Sequence, residues 1–493
     1  MKKTLLLLVL LLGMAGLTDD SPEYISFVPL PEKTFSGEWQ YLIEAGVQGE
    51  GEHRIDIRGY SFLGREIVKF DDVIINGSGG FSFSPFDHRE SLAAVQSLIF
   101  RSDVPLEGFM WIHNTETGQL NGVSLHLNHG NRVVIPQIGT NYFTWKSSFS
   151  VVGIGDSMQS NLDFRFYDVD GLPQETELWS GLNHAGFLKK TPYFDVFLGD
   201  LDNPVAAFWG EVLCQNPEFQ LVGYQTFSKV DESKQTCAFE LNTKVLQNGS
   251  LPLLPFMENT SHWATFTNPH NHEIHMNLTL VYTEMFLSGD DESGFDVKED
   301  SIELKLPPNT RISGVVGSTW FNEIYATDGK IPLRIQFQII LPEVDEELED
   351  QEQLAEYTVH GLHYATDNRS SLGAVNIQQA GNYSSFWLTG QSMVSRTLYI
   401  QNTEKTPIVV RLSILAEDGR VAGYNKRELS PSEAWSIDET ALADLFKEDT
   451  AKTFYFVISS IEGSFTSTML GKNDSDIALI SLPIQNVKLE ETE

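Results

Sequence analysis

Metal-ligating side chains crowd together at His270-Asn271-His272-Glu273-Ile274-His275. Residues two apart on a strand share a face, so His270 and His272 would present two imidazoles together, with Glu273 or His275 completing a set for Zn²⁺ or Cu²⁺. The plainer reading is a polar turn opened by Asn268-Pro269, since a usable site needs three or four converging ligands. Carboxylates cluster at Asp168 and Asp170, Asp200 and Asp202, Asp290-Asp291-Glu292, and Asp474 with Asp476. None follows the spacing of an EF-hand, so structural calcium at a junction is the only cofactor this pattern suggests; otherwise none is expected. Trp179 and Trp320 sit next to turn residues and are candidates for a sugar-stacking surface, with core filling as the alternative. Cys214 and Cys237 are the chain's two cysteines, suited to one disulfide in an oxidising compartment rather than to a zinc site.

A nucleophile is suggested by Gly155-Asp156-Ser157 after Val151-Val152-Gly153-Ile154. This block resembles the nucleophile block of the GDSL-type (SGNH) esterases, and Gly471-Lys472-Asn473-Asp474 is similar to their oxyanion block. The resemblance implies Ser157 as nucleophile, but no Asp-x-x-His follows to supply the base that a serine hydroxyl needs. In the repeat described next, both blocks fall on hairpin turns.

Any such site has to be carried by a repeated scaffold. Tryptophan opens a strand at Trp39, Trp145, Trp263 and Trp387, at intervals of 106, 118 and 124 residues. Prolines follow at Pro85, Pro192, Pro308 and Pro431, after 46, 47, 45 and 44 residues. Between these anchors run alternating stretches such as Leu162-Asp163-Phe164-Arg165-Phe166-Tyr167 and Val409-Val410-Arg411-Leu412-Ser413-Ile414, which predict strands with one buried and one wetted face. Turns such as Asp168-Val169-Asp170-Gly171 close them. The expected fold is all-β, four tandem immunoglobulin-like β-sandwich modules spanning 24–133, 134–252, 253–377 and 378–487 after a signal peptide at 1–18. The modules would form a rod or two packed pairs. One short helix is expected from Pro431-Ser432-Glu433 to Phe446. If each tryptophan plugs its own core, Trp263→Ala should cost about 3–5 kcal/mol.

Met1-Lys2-Lys3 and the apolar run from Leu5 to Leu17 have the form of a secretory signal, and thirteen residues are too few to cross a bilayer, which takes about 20. No later run reaches transmembrane length, so a secreted, periplasmic or cell-surface location is expected. With 33 basic and 68 acidic residues the formal charge is −35, a field that repels nucleic acid and anionic membranes and favours solubility. The organisation resembles that of exported bacterial proteins built from tandem immunoglobulin-like or fibronectin-like sandwiches. That resemblance is architectural; the function expected is non-enzymatic, binding or adhesion to an extracellular glycan or protein ligand, or a structural surface role. The alternative is a secreted hydrolase using Ser157 or the His270/His272/His275 cluster.

Overall fold

The computed structural model describes residues 24–487, apart chiefly from 30–38, 61–65, 85–94, 126–129, 139–144, 155–161, 175–186, 192–208, 215–219, 230–235, 254–260, 288–292, 343–355, 367–371, 390–393, 416–420 and 447–452. The described chain is nearly all strand, laid down in four successive series. The first holds β1 (Tyr24–Pro29), β2 (Trp39–Val47), β3 (Glu52–Tyr60), β4 (Glu66–Lys69), β5 (Val73–Asn76), β6 (Gly79–Phe83), β7 (Ser97–Ser102), β8 (Leu106–Asn114) and β9 (Leu120–Ser124). The second holds β10 (Arg132–Ile135), β11 (Trp145–Ile154), β12 (Leu162–Tyr167), β13 (Pro173–Gln174), β14 (Phe187–Thr191), β15 (Trp209–Cys214), β16 (Gln220–Lys229) and β17 (Thr236–Leu241). The third holds β18 (Asn248–Pro252), β19 (Ser261–Thr267), β20 (Ile274–Leu287), β21 (Ser293–Leu306), β22 (Arg311–Val315), a π-helical turn (Val316–Trp320), α1 (Asn322–Tyr325), β23 (Lys330–Ile340), β24 (His360–Thr366) and β25 (Leu372–Asn376). The fourth holds β26 (Tyr383–Thr389), β27 (Ser395–Asn402), β28 (Ile408–Leu415), β29 (Val421–Leu429), β30 (Ala434–Ile437), α2 (Glu439–Phe446), β31 (Thr453–Ser460), β32 (Phe465–Lys472), β33 (Ile477–Ser481) and β34 (Ile484–Gln485).

One connectivity recurs in all four. In the third series the sheets run β18-β23-β20-β21 and β22-β19-β24-β25; the second repeats this as β10-β15-β12-β13 and β14-β11-β16-β17. The first gives β1-β7-β3-β4 and β6-β2-β8-β9, with β5 added beside β3, and the fourth gives β29-β28-β31-β26-β34 and β30-β27-β32-β33. Every pairing is antiparallel. The alternating stretches read from the sequence are β12, β20 and β28, and their inward residues fill the cores: Met276, Leu278 and Leu280 in one, Val410, Leu412 and Ile414 in another. The turn after β12 has Gly171 at φ 77°, a conformation that glycine adopts without steric cost.

The series close on themselves instead of forming a rod or two pairs. The last strands β9, β17, β25 and β33 pack in a circuit: β9 lies against β17 and β33, and β25 against the same two. These strands are buried on both faces, as in Ile477-Ala478-Leu479-Ile480, where all four side chains are buried. A Cβ at Gly122 on β9 would stand 2.6 Å from Ile480 of β33, so the close approach of the first and last series needs glycine there.

Three sequence expectations change. Strand β18, placed by the sequence at the end of the second unit, pairs with β23 and so joins the sheet of the third series. Trp387 belongs to β26, the first strand of its series, whereas Trp263 opens β19, a second strand, so the fourth tryptophan is not the counterpart of the third. The short helix starts later, at Glu439, because Ala434–Ile437 forms strand β30; Asp438 caps it by accepting the Ala441 N–H at 2.9 Å.

Trp263 is not a core plug. On β19 the inward residues are Ala264 and Phe266, and the indole faces out, 39% exposed. Trp263→Ala should therefore cost about 1 kcal/mol or less, read as a small shift of the urea midpoint; a loss above about 3 kcal/mol would contradict this placement.

Candidate functional site

The three histidines proposed as metal ligands do not converge. His270 and His272 do share a side, their rings stacked at 5.3 Å, but His270 Nε2 is 2.9 Å from Thr358 Oγ1 and His272 leans on the Tyr357 ring at 4.6 Å. Burial and the nearby Arg132 guanidinium push His270 down to about 4. His275 instead sits on β20 between Glu303 and Glu273, each 2.8 Å from one ring nitrogen, and those carboxylates raise its pKa. Among the described residues no group of three or more His, Cys, Asp or Glu side chains could hold a metal ion. The calcium candidate Asp168 is occupied by its own turn, accepting the Asp170 and Leu172 N–H groups and the Gln174 amide. Asp476 accepts the Leu120 N–H at 2.9 Å. Asp200, Asp202 and Asp290 to Glu292 lie outside the described residues.

The esterase blocks fare similarly. Ser157 is outside the described residues, as is Trp179. Asn473, proposed as an oxyanion donor, donates its amide N–H to Gly118 O at 2.9 Å and accepts the Asp476 N–H on its side-chain oxygen, which makes it part of the seam between the first and fourth series. Trp320 closes the π-helical turn and packs against the third core beside Phe266, 6.2 Å away. Cys214 on β15 and Cys237 on β17 are both buried, on different sheets, and no disulfide joins them. Cys237 packs instead with Phe239, Leu362, Tyr364 and Ala374 between the second and third series.

Among the described residues, an arrangement suited to a ligand is a cleft of about 490 Å³ between the third and fourth series. One wall is the outer part of the β20–β21 hairpin. The pairing of β20 with β23 slips between Val281 and Tyr282, an irregularity of the kind that bends a strand, and beyond it Thr283 and Val297 stand opposite each other at the cleft. Ile331, Pro332 and Leu333 of β23 continue this wall, and the β29–β30 turn with Pro431 and Ser432 forms the other.

Polar groups fix that second wall. Gln401 on β27 is almost wholly buried and gives its amide N–H groups to Leu333 O at 3.1 Å and Ser432 O at 3.2 Å, one acceptor on each wall. Its Oε1 has no hydrogen-bond partner among the described residues. Ser432 is buried at φ 60°, a strained conformation for a non-glycine residue, and such strain gathers where a site is pre-shaped. Glu433 ties the turn by accepting the Ser430 N–H at 2.8 Å while pairing with Arg427. Below, Arg334 donates to Asn402 O at 3.0 Å; burial lowers it to about 10, so it stays charged at neutral pH.

No protein-family model matches the sequence, and no curated protein does. Among solved structures the chain has a slight likeness to a crystal structure of Salmonella alpha-2-macroglobulin reacted with methylamine. Identity is 7%, the alignment covers 94% of this chain and 40% of that one, and the TM-score is 0.11, too low to carry an argument.

Sequence reasoning missed the cleft because its residues come from six separate strands and the β29–β30 turn. It also missed a buried pair: His262 Nδ1 lies 3.0 Å from His363 Nε2, with the rings stacked, and His360 is buried on the same strand as His363. No sequence cluster announces them, since the partners are a hundred residues apart.

Proposed function

We propose that the chain is a non-enzymatic exported protein of four immunoglobulin-like β-sandwich modules that binds a protein ligand, an apolar side chain of the ligand entering the cleft between the third and fourth modules. The single observation behind this reading is the cleft itself, whose volume lies in the range of ligand sites, roughly 300–1,000 Å³. Among the described residues, aliphatic side chains and prolines make up most of its lining and no aromatic ring offers a sugar a stacking surface. That favours a polypeptide occupant over a glycan at this position. The walls are tied together by Gln401 and the Ser432 turn is fixed, so little ordering cost is incurred on binding.

A phage-displayed random peptide library panned on the intact chain tests it. Apolar peptides should be selected, and Ile331→Glu, which puts a charge on an exposed wall residue, should weaken them at least tenfold. Recovery of no binding peptide, or of peptides indifferent to Ile331→Glu, would overturn the reading.

A further inference from the structure

The four series serve as internal controls for one another, and the outward face of one hairpin breaks the pattern. In the first series Arg58 of β3 stands opposite Lys69 of β4. Like charges directly opposite destabilise an antiparallel pair, and here Asp56, two residues before Arg58, answers both: it is 2.7 Å from Arg58 and 3.7 Å from Lys69. In the second series Arg165 of β12 has Asp163 two residues before it, at 2.8 Å. In the third, the outward cation Lys298 of β21 is matched by Glu284 of β20.

The fourth series keeps the cations but has no acid on β28 beside them; the acid on this face is Glu428 of β29, two residues from Lys426 and opposite Val409. Arg411 of β28 stands opposite Lys426 of β29, repeating the first pair, but the residue two before Arg411 is Val409, itself 41% exposed. Among the described residues neither Arg411 nor Lys426 forms an ion pair. Arg411 lies over the ring of Tyr424, its guanidinium carbon 4.6 Å from the centroid, and Tyr424 is 61% exposed. The opposite side of this strand pair is sealed into the core through Val410, Leu412 and Ile414, so the outward side chains sit on a rigid floor. A chain of formal charge −35 thus carries, on one strand face, two cations held in no ion pair, with one acid, Glu428, beside them and an open aromatic ring on the other side.

We propose that this face, Arg411, Tyr424 and Lys426, binds an acidic polysaccharide. Carboxylates of the polymer would pair with Arg411, whose planar fork suits them, and with Lys426, while a sugar ring stacks on Tyr424. The repulsion of the rest of the chain is screened beyond about 8 Å at physiological salt, so the local cations govern contact. The site is separate from the cleft and does not depend on a peptide binding there.

Binding of polygalacturonate to the intact chain, followed by affinity electrophoresis and calorimetry with neutral dextran and a single-stranded DNA oligomer alongside, tests this. Polygalacturonate should bind and weaken with added salt, while dextran and DNA should not bind. Val409→Asp installs the acid that the first and second series use, on an exposed position, and should reduce affinity at least tenfold with an unchanged urea midpoint. Tyr424→Ala should do the same, and Glu428→Ala, which removes the acid opposite Val409 and two residues from Lys426, should leave binding intact or strengthen it. No binding of polygalacturonate, binding indifferent to Val409→Asp, or equal binding of DNA would overturn the proposal.

Discussion

Glu44→Ala is expected to destabilise the whole chain by about 3–5 kcal/mol. Glu44 on β2 and Arg396 on β27 form an ion pair with both side chains fully buried, at 2.9 Å, joining the first series to the fourth. The other Glu44 contacts are the Trp111 indole N–H at 2.7 Å and the Thr389 N–H at 2.7 Å. Arg396 also donates to Thr389 O and reaches Glu439 on α2 through its Nε and Nη2 groups. Burial pushes the Glu44 carboxyl up while the Arg396 guanidinium and these N–H donors pull it down. Removing the carboxylate leaves the buried guanidinium with the partly exposed Glu439 as its remaining carboxylate partner and strands the Trp111 and Thr389 N–H donors in the core, and those unmet polar groups, more than the lost attraction, set the size of the effect. Because the pair joins the first series to the fourth, urea transitions followed by tryptophan fluorescence and by far-ultraviolet circular dichroism should shift together. The combined change Glu44→Gln with Arg396→Met should recover part of the loss, since it removes both fully buried charges and leaves only the partly exposed Glu439 without its partner. An unchanged midpoint for Glu44→Ala, or a transition that splits into independent steps, would show that the junction does not couple the ends.

That coupling marks the boundary of what the sequence could reveal. Strands were legible wherever one face is wet, because β12, β20 and β28 alternate with period two. The circuit of β9, β17, β25 and β33 was not, although Ile477-Ala478-Leu479-Ile480 and Cys237-Ala238-Phe239 already read as continuous apolar runs of the kind a strand buried on both faces requires. Tryptophan spacing misled at Trp387, since an aromatic residue can serve any strand; it is buried at the seam, where a Cβ on Gly46 would collide with its ring. The cleft and the Glu44–Arg396 pair depend on residues up to 352 positions apart and leave no local pattern. The contrast of Asp56-Ile57-Arg58 and Asp163-Phe164-Arg165 with Val409-Val410-Arg411 was present in the sequence, but its meaning needed the strands that make the three triplets equivalent.

Acid should unfold the chain through histidines that fold in neutral. Burial pushes His360 down to about 4 and His363 well below its ordinary value, the latter also disfavoured by the neighbouring His262. A histidine whose pKa is depressed on folding binds fewer protons folded than unfolded, so its contribution is intact above the unfolded value of about 6.5 and is lost as the pH falls toward 4. For His360 the loss at pH 4 is roughly 3 kcal/mol. Glu240 works in the opposite sense: desolvation raises it to about 8, so its share of stability is complete below the unfolded carboxyl range and disappears as the pH rises through 8. The two overlap between pH 4.5 and 6.5, and the total curve alone does not separate them. A difference does. Urea stabilities of the native chain and His360→Gln, measured at half-unit steps from pH 7 to 4, should differ by an amount that falls by about 3 kcal/mol toward pH 4, because only the native chain must bury or protonate that imidazole. His275, exposed and held up by Glu273 and Glu303, has no share in this loss, so His275→Gln should leave the acid limb in place. A difference between native and His360→Gln that stays flat with pH would mean that His360 accepts its proton in the folded chain as readily as in water.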